Sequence, residues 1–343
     1  MLRHLSATRS PDSDGPVFTC DEYETCPDSV EMAPGRVHWF DFDQLGQPEA
    51  RLLATQFRFH PLAIEDAVEQ AQYPKADDYG DYLYLTLHAI DDHAADPEAV
   101  DTVELDMFLG RDFLITGRDG RPLDEFDALR RDIKKRPAIL GRGPDLLLHS
   151  LLDRIVVDYF PRLEGIEERL DQLETDALAG GAGEVLPGKV LALRRQLLRL
   201  KRIIHPQREL FLRLARPEFC SVIDHQARLY FRDTYDQIYR VSEMLDGERD
   251  MLQGIFEAHY TLVSYRLNDI VRVLTMVTTL LMPMTVVTGV YGMNFEAMPG
   301  LKSPLGFWLA MAAMGGVSLF MLMLFRRMGW IGGLSSLRGR MRI

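Results

Sequence analysis

A chain of 343 residues, 47% of them apolar, is long enough for two domains or one elongated unit of several parts. Its 51 acidic against 39 basic side chains give a formal charge of −12, which excludes the basic footprint of a nucleic-acid-binding protein. Three cysteines (Cys20, Cys26, Cys220) make neither a disulfide framework nor a zinc site of usual spacing, and are read as reduced thiols.

Residues 1–16 are polar, with Pro, Asp, Ser and Gly, and read as a disordered tail. Residues 17–143 alternate strand-like and helix-like stretches and read as an α/β domain. Strands are expected at 36–40, at 82–90, at 103–109 and at 113–116, the last two joined by a hairpin at Gly110-Arg111-Asp112. Helices are expected over 49–57 and 61–70, the second with proline in its first turn.

From residue 144 to 223 the pattern turns wholly helical. Leu148, Leu151, Leu152, Ile155, Val156, Tyr159, Leu163, Ile166, Leu170 and Leu173 recur at helical intervals, and the opposite face is acidic. Gly180-Gly181-Ala182-Gly183 ends that helix, and an arginine-rich one follows over 186–215, so the pair reads as an antiparallel hairpin with complementary charges. From Asp224 to Met282 there is no proline, and residues 224–291 as one helix would be about 100 Å long. Its upper end, Val273 to Phe295, is an uncharged run of about 23 residues, and Pro304 to Phe325 is a second of about 22. Each is long enough to cross about 30 Å of hydrocarbon. Residues 292–303 form the short loop between them, and 326–343 form a basic tail. No apolar run near Met1 resembles a signal peptide.

Arg266 and Arg272 precede the first span, and Arg326, Arg327, Arg338, Arg340 and Arg342 follow the second. The positive-inside rule then puts both termini in the cytoplasm and the loop outside, in an integral plasma (inner) membrane protein with two spans. Two spans in one chain cannot enclose a wet path, so a pore requires a ring of copies. Steps of about 3.5 residues from Glu257 through Thr261, Ser264, Asn268, Val271, Leu274, Thr278, Met282, Thr285 and Gly289 mark an uncharged seam beyond Glu257. A Thr/Ser stripe serves equally as packing between membrane helices. The chain has no nucleotide-binding fingerprint and no Ser/His/Asp or Cys/His constellation, so it reads as a non-enzyme with no fuel-driven pump.

The triplet Gly292-Met293-Asn294 after Tyr291, at the end of the first of two C-terminal spans, resembles that of the CorA family of divalent-cation channels. The likeness extends over 268–298 and, more loosely, from Trp39 onward. It implies a homo-oligomeric, pentameric funnel whose partners are its own copies, the lipid bilayer and divalent cations. It also implies Gly292, Met293 and Asn294 as an outer filter, with Glu296 at the mouth. Amide and carbonyl oxygens there would grip the water around Mg2+, which dehydrates reluctantly. Asn268, Val271, Leu274, Thr278, Met282, Thr285 and Gly289 would line and gate the pore. Met298-Pro299-Gly300-Leu301 departs from the family's Met-Pro-Glu-Leu, so one acidic ring is missing.

The resemblance further implies closure by intracellular Mg2+ bound between cytoplasmic domains, at Glu65, Asp66 and Asp233. Read without it, these carboxylates are solvated helix charges. The cargo expected is Mg2+, with Co2+ and Ni2+. A proton-coupled zinc transporter of the ZntB type is the nearest alternative, and a non-conducting membrane-tethered sensor is the alternative of another class.

Overall fold

The computed structural model describes residues 1–8, 18–69, 73–91, 93, 100–179, 186–293, 300 and 303–331. Two compact units result, Met1–Phe256 and Glu257–Ile343.

The first unit is built on a seven-stranded sheet: β1 (Leu2–Thr8), β2 (Phe18–Tyr23), β3 (Arg36–Phe42), β4 (Lys75–Asp78), β5 (Leu83–Ile90), β6 (Thr102–Leu109) and β7 (Phe113–Arg118). Their order is β2-β1-β3-β7-β6-β5-β4, with β3 and β7 parallel and the other neighbours antiparallel. Period-two alternation sorts the core. Trp39, Leu85, Leu87, Leu105 and Met107 point to one face, and Phe40, Tyr84, Phe108 and Ile115 to the other. The second face is covered by α1 (Gln47–Thr55) and α2 (Pro61–Glu69). The first packs against α3 (Asp124–Lys135), α4 (Ala138–Gly141) and α5 (Pro144–Ala179).

The expected disordered tail over 1–16 is overturned for its first half. Leu2, Leu5 and Ala7 are at most 1% exposed, and β1 pairs with β2 on one side and β3 on the other. The polar composition of the tail hid a strand buried on both faces, Leu2 in one core and Leu5 and Ala7 in the other, and paired on both edges. Residues 9–17 lie outside the described residues, as do 180–183.

Helix α5 and α6 (Leu186–Ala215) form the hairpin, and all ten apolar positions expected on α5 are at most 3% exposed. Charge pairing between the two helices includes the exposed pair Lys189–Asp176 (3.3 Å), a contact of small energetic weight. Lys201 and His205 of α6 turn instead to Asp246, at 2.5 and 3.5 Å. Asp246 lies on α7 (His225–Tyr291), a single helix of 67 residues. Its first part belongs to the first unit, because Phe231, Ile238, Val241, Leu245, Leu252 and Ile255 share a core with α5 and α6. The compact unit therefore runs on past the hairpin expected over 144–223 and ends at Phe256, within the helix expected over 224–291.

A buried ionic knot joins β1, β3, β7 and α3. Asp41 is fully buried and takes contacts from Arg130, from Arg118 (3.4 Å) and from the Thr116 hydroxyl (3.0 Å). Replacing Asp41 with alanine removes the buried counter-charge and leaves Arg118 to Asp43 (2.6 Å) and Arg130 to Asp127, two partly exposed carboxylates. The variant is expected to lose about 3 kcal/mol of stability, read from urea unfolding.

The second unit contains the upper part of α7 and α8 (Gly306–Arg327). Both helices pass the length and hydropathy criteria of a membrane span. Helix α8 ends in a Schellman motif. Gly329 takes φ +75°, the Trp330 amide donates to the Phe325 carbonyl at 2.8 Å, and the two rings stack at 5.5 Å.

Candidate functional site

Helix α7 carries one heptad rhythm in two phases. In the first unit its buried residues Ala227, Phe231, Thr234, Ile238, Val241, Leu245, Glu248, Leu252 and Ile255 step alternately by four and three. Carried on at the same step, this phase reaches His259, Leu262, Asp269, Met276, Leu280, Pro283 and Val287, which are half-exposed, and Arg266 and Val273, which are exposed. The expected seam is the same rhythm displaced by two residues, about 200° around the helix, except at Leu274, one residue short of that step. It is open along its whole length: Asn268, Val271, Leu274, Thr278, Met282, Thr285 and Gly289 are all exposed. Val271, Leu274 and Met282 are 58%, 64% and 66% exposed, so a large apolar surface stands uncovered in one chain.

The hydroxyls of the upper helix have a common arrangement. Thr278 donates to the Leu274 carbonyl at 2.8 Å and Thr285 to the Leu281 carbonyl at 3.0 Å. Thr275 and Thr288 do the same at 2.7 and 2.9 Å. With the proton committed to its own helix, each hydroxyl offers its surroundings only lone pairs. On the seam that leaves acceptors facing outward at Thr278 and Thr285. The charged side chains near the membrane end stand elsewhere. Arg272 pairs with Asp269 at 3.3 Å, and Asp269 belongs to the opposite, mostly half-exposed phase.

Helix α7 stops at Tyr291, where the last turn tightens. The Gly292 amide donates to the Thr288 carbonyl at 2.9 Å and the Met293 amide to the Val290 carbonyl at 3.3 Å. A Cβ on Gly292 would lie 2.9 Å from the Thr288 oxygen, so the turn accepts only glycine without moving. Gly292 and Met293 are exposed. Asn294 and Glu296 lie outside the described residues. At the first residue of α8, a Cβ on Gly306 would come 2.1 Å from the Gly300 carbonyl oxygen, whereas one on Gly315 meets nothing within 4 Å. Gly306→Ala is expected to lower stability by about 2 kcal/mol in thermal unfolding of the detergent-solubilised chain, and Gly315→Ala to leave it unchanged or raise it.

Sequence reasoning missed the aromatic anchors. Phe307 and Trp308 stand 65% and 69% exposed at one end of α8, and Trp330 follows its other end. Their signal was readable, since aromatic rings flanking an apolar run mark both membrane interfaces.

The expected regulatory carboxylates are placed as follows. Glu65 and Asp66 lie on α2, Glu65 exposed and Asp66 half-exposed; Asp233 is exposed on α7. Among the described residues no three His, Cys, Asp or Glu side chains gather in one chain as a metal-holding group. Asp66 is held by the Lys75 ammonium, and Asp233 accepts from the Gln237 amide at 3.2 Å. Burial alone would lower the Lys75 pKa, but the hydrogen bond and charge of Asp66, with the Asp77 charge, leave it raised.

Comparison with known proteins agrees along almost the whole chain. A profile described as "CorA-like Mg2+ transporter protein" matches residues 34–327. The Bacillus subtilis protein YfjQ is 34% identical over 304 residues, covering 88% of this chain and 92% of its own length. The cobalt/magnesium transport protein CorA of Thermotoga maritima is 30% identical over 276 residues, 80% of this chain and 78% of that one. The solved structure of the CorA magnesium transporter from Methanocaldococcus jannaschii superposes with a TM-score of 0.76 at 24% identity, over 96% of this chain and 98% of that one.

Proposed function

Because this chain belongs to the family of CorA-like Mg2+ transporter proteins, which are divalent-cation transporters, we propose that its copies, five by family resemblance, surround a pore for hydrated Mg2+. The observation that carries this reading is the open phase of α7. From Thr261 to Gly289 the phase holds no charged side chain, and its apolar residues and outward hydroxyl lone pairs have no cover within one chain. Copies of the same helix arranged around an axis would cover the flanks of that face and leave its centre wet.

Ligand chemistry supports magnesium, with cobalt and nickel beside it. Neutral oxygens at Gly292, Met293 and Asn294 hold a hydrated ion weakly enough to release it, as conduction requires. Val271, Leu274 and Met282 are the belt at which the path dewets when closed. Entry needs no fuel, since a divalent cation gains about 4.6 kcal/mol per 100 mV of inside-negative potential. Glu296 concentrates cations at the outer mouth. Closure uses intracellular Mg2+ bound by Glu65 and Asp66 of one copy and Asp233 of the next, all hard oxygen donors suited to that ion. Five such sites at tenfold saturation supply about 7 kcal/mol, more than the ~5.5 needed to turn a mostly open population into a mostly closed one.

Replacing Asn294 with alanine tests the filter. Mg2+ uptake into vesicles is expected to fall to background while the oligomer runs unchanged on size-exclusion chromatography. Undiminished uptake in that variant removes Asn294 from the filter.

A further inference from the structure

On the regulatory reading just proposed, Asp66 is a metal ligand, and in this structure it already holds a cation of the chain's own. Lys75 belongs to β4, the edge strand. Its register with β5, Lys75 opposite Thr86 and Asp77 opposite Tyr84, sets these four side chains on one face of the sheet. That face is the one α2 covers. The Lys75 ammonium donates to Asp66, lies 3.6 Å from an Asp77 oxygen and stands 5.3 Å from the centre of the Tyr84 ring. Tyr84 is fully buried and its hydroxyl donates to Asp106 at 2.7 Å, so the ring under the ammonium is fixed. Two carboxylates and an aromatic face therefore hold this lysine from three sides, unlike a lysine swinging in solvent.

We infer that Lys75 sets the affinity of the regulatory site: its ammonium competes with the divalent cation for Asp66, so closure requires more cytoplasmic Mg2+ than the three carboxylates alone would set. The inference rests on the reading of Asp66 as a regulatory ligand. A Mg2+ ion reaching Asp66 either displaces the ammonium, breaking its hydrogen bond, or binds beside it and meets a like charge. Both routes weaken binding, so the sign does not depend on which occurs. The same contact explains why Asp66 in the single chain is partnered while Glu65, one residue earlier, faces solvent.

The test uses the full-length protein and MgCl2 as the probe, with two readouts. One is the Mg2+ concentration that half-maximally raises the melting temperature in detergent; the other is the internal Mg2+ that halves uptake into vesicles. Lys75→Gln is expected to lower both midpoints about fivefold, the factor a half-exposed ion pair commands. Lys75→Arg, which keeps the charge, is expected to stay at the wild-type values. Lys75→Met repeats the neutral substitution should the glutamine variant melt early without Mg2+. If Asp66→Asn raises the midpoints while both neutral Lys75 variants leave them in place, the role of Lys75 is overturned and the regulatory reading stands. If Asp66→Asn and Asp233→Asn move neither midpoint, that reading falls and the inference falls with it.

Discussion

Replacing Gly292 with alanine is expected to bring divalent-cation uptake to the level of empty vesicles while the chain still folds and assembles. The added Cβ would sit 2.9 Å from the Thr288 carbonyl oxygen, and that carbonyl is the acceptor for the Gly292 amide. The last turn of α7 must open to admit it, which displaces Met293 and whatever follows. The thermodynamic effect stays near 1 kcal/mol, because the site is an exposed helix end with room to relax. The functional effect is large on the proposed pore reading, in which a ring of copies repeats the displacement at every position around the path. Uptake of Mg2+ by vesicles, with chromatography for assembly, separates the two effects. Wild-type uptake in Gly292→Ala would mean that this turn is not part of the path.

The second large effect is one of pH on stability, and its source is Glu248. This residue occupies an apolar position of the buried heptad phase, is 7% exposed, and has one carboxyl oxygen sealed without a hydrogen-bond partner. Burial, and after it the charge of Glu167, push its pKa up to about 8 against the pull of Arg169. Glu167 and Arg169 face it from α5, and its neighbour Asp246 holds Lys201 and His205 of α6. Once unfolded, the side chain titrates near 4.5. Between these values the folded chain carries a proton that the unfolded chain has released, so stability falls as pH rises through the window. The loss is complete above about 8. It amounts to about 2 kcal/mol, allowing for the water that still reaches the side chain.

Glu248→Gln is expected to flatten that slope. Glu248→Leu is expected to raise the melting temperature at neutral pH, since it restores the apolar step. Melting curves of the full chain in detergent, from about pH 5 to 9, check both; a slope unchanged in Glu248→Gln would assign it to other groups.

Much of this architecture was legible in the sequence because its signals are long and periodic. Ten apolar steps on α5 and a proline-free run of nearly sixty residues leave few alternatives. The two phases of α7 were half legible: the open one was traced from Glu257, and the buried one becomes evident once Phe231, Ile238 and Leu245 are seen in the core. Short polar strands were not legible. Lys75–Asp78 reads Lys-Ala-Asp-Asp and has no strand propensity of its own; pairing with β5 forces it. Helix α3 was overlooked for its charge, although Phe126, Leu129, Arg130 and Ile133 keep helical spacing. The Lys75–Asp66 contact joins a helix to an edge strand nine positions on, and no local pattern announces it.

Vesicles carrying the purified protein, given a potassium-diffusion potential, an internal magnesium dye and no pH difference, address the central claim most directly. Passive conduction through a wet path predicts that Mg2+ enters at once and faster as the interior is made more negative, with roughly 4.6 kcal/mol of drive per 100 mV. Entry that waits for an imposed proton gradient, and carries zinc in place of magnesium, would contradict it.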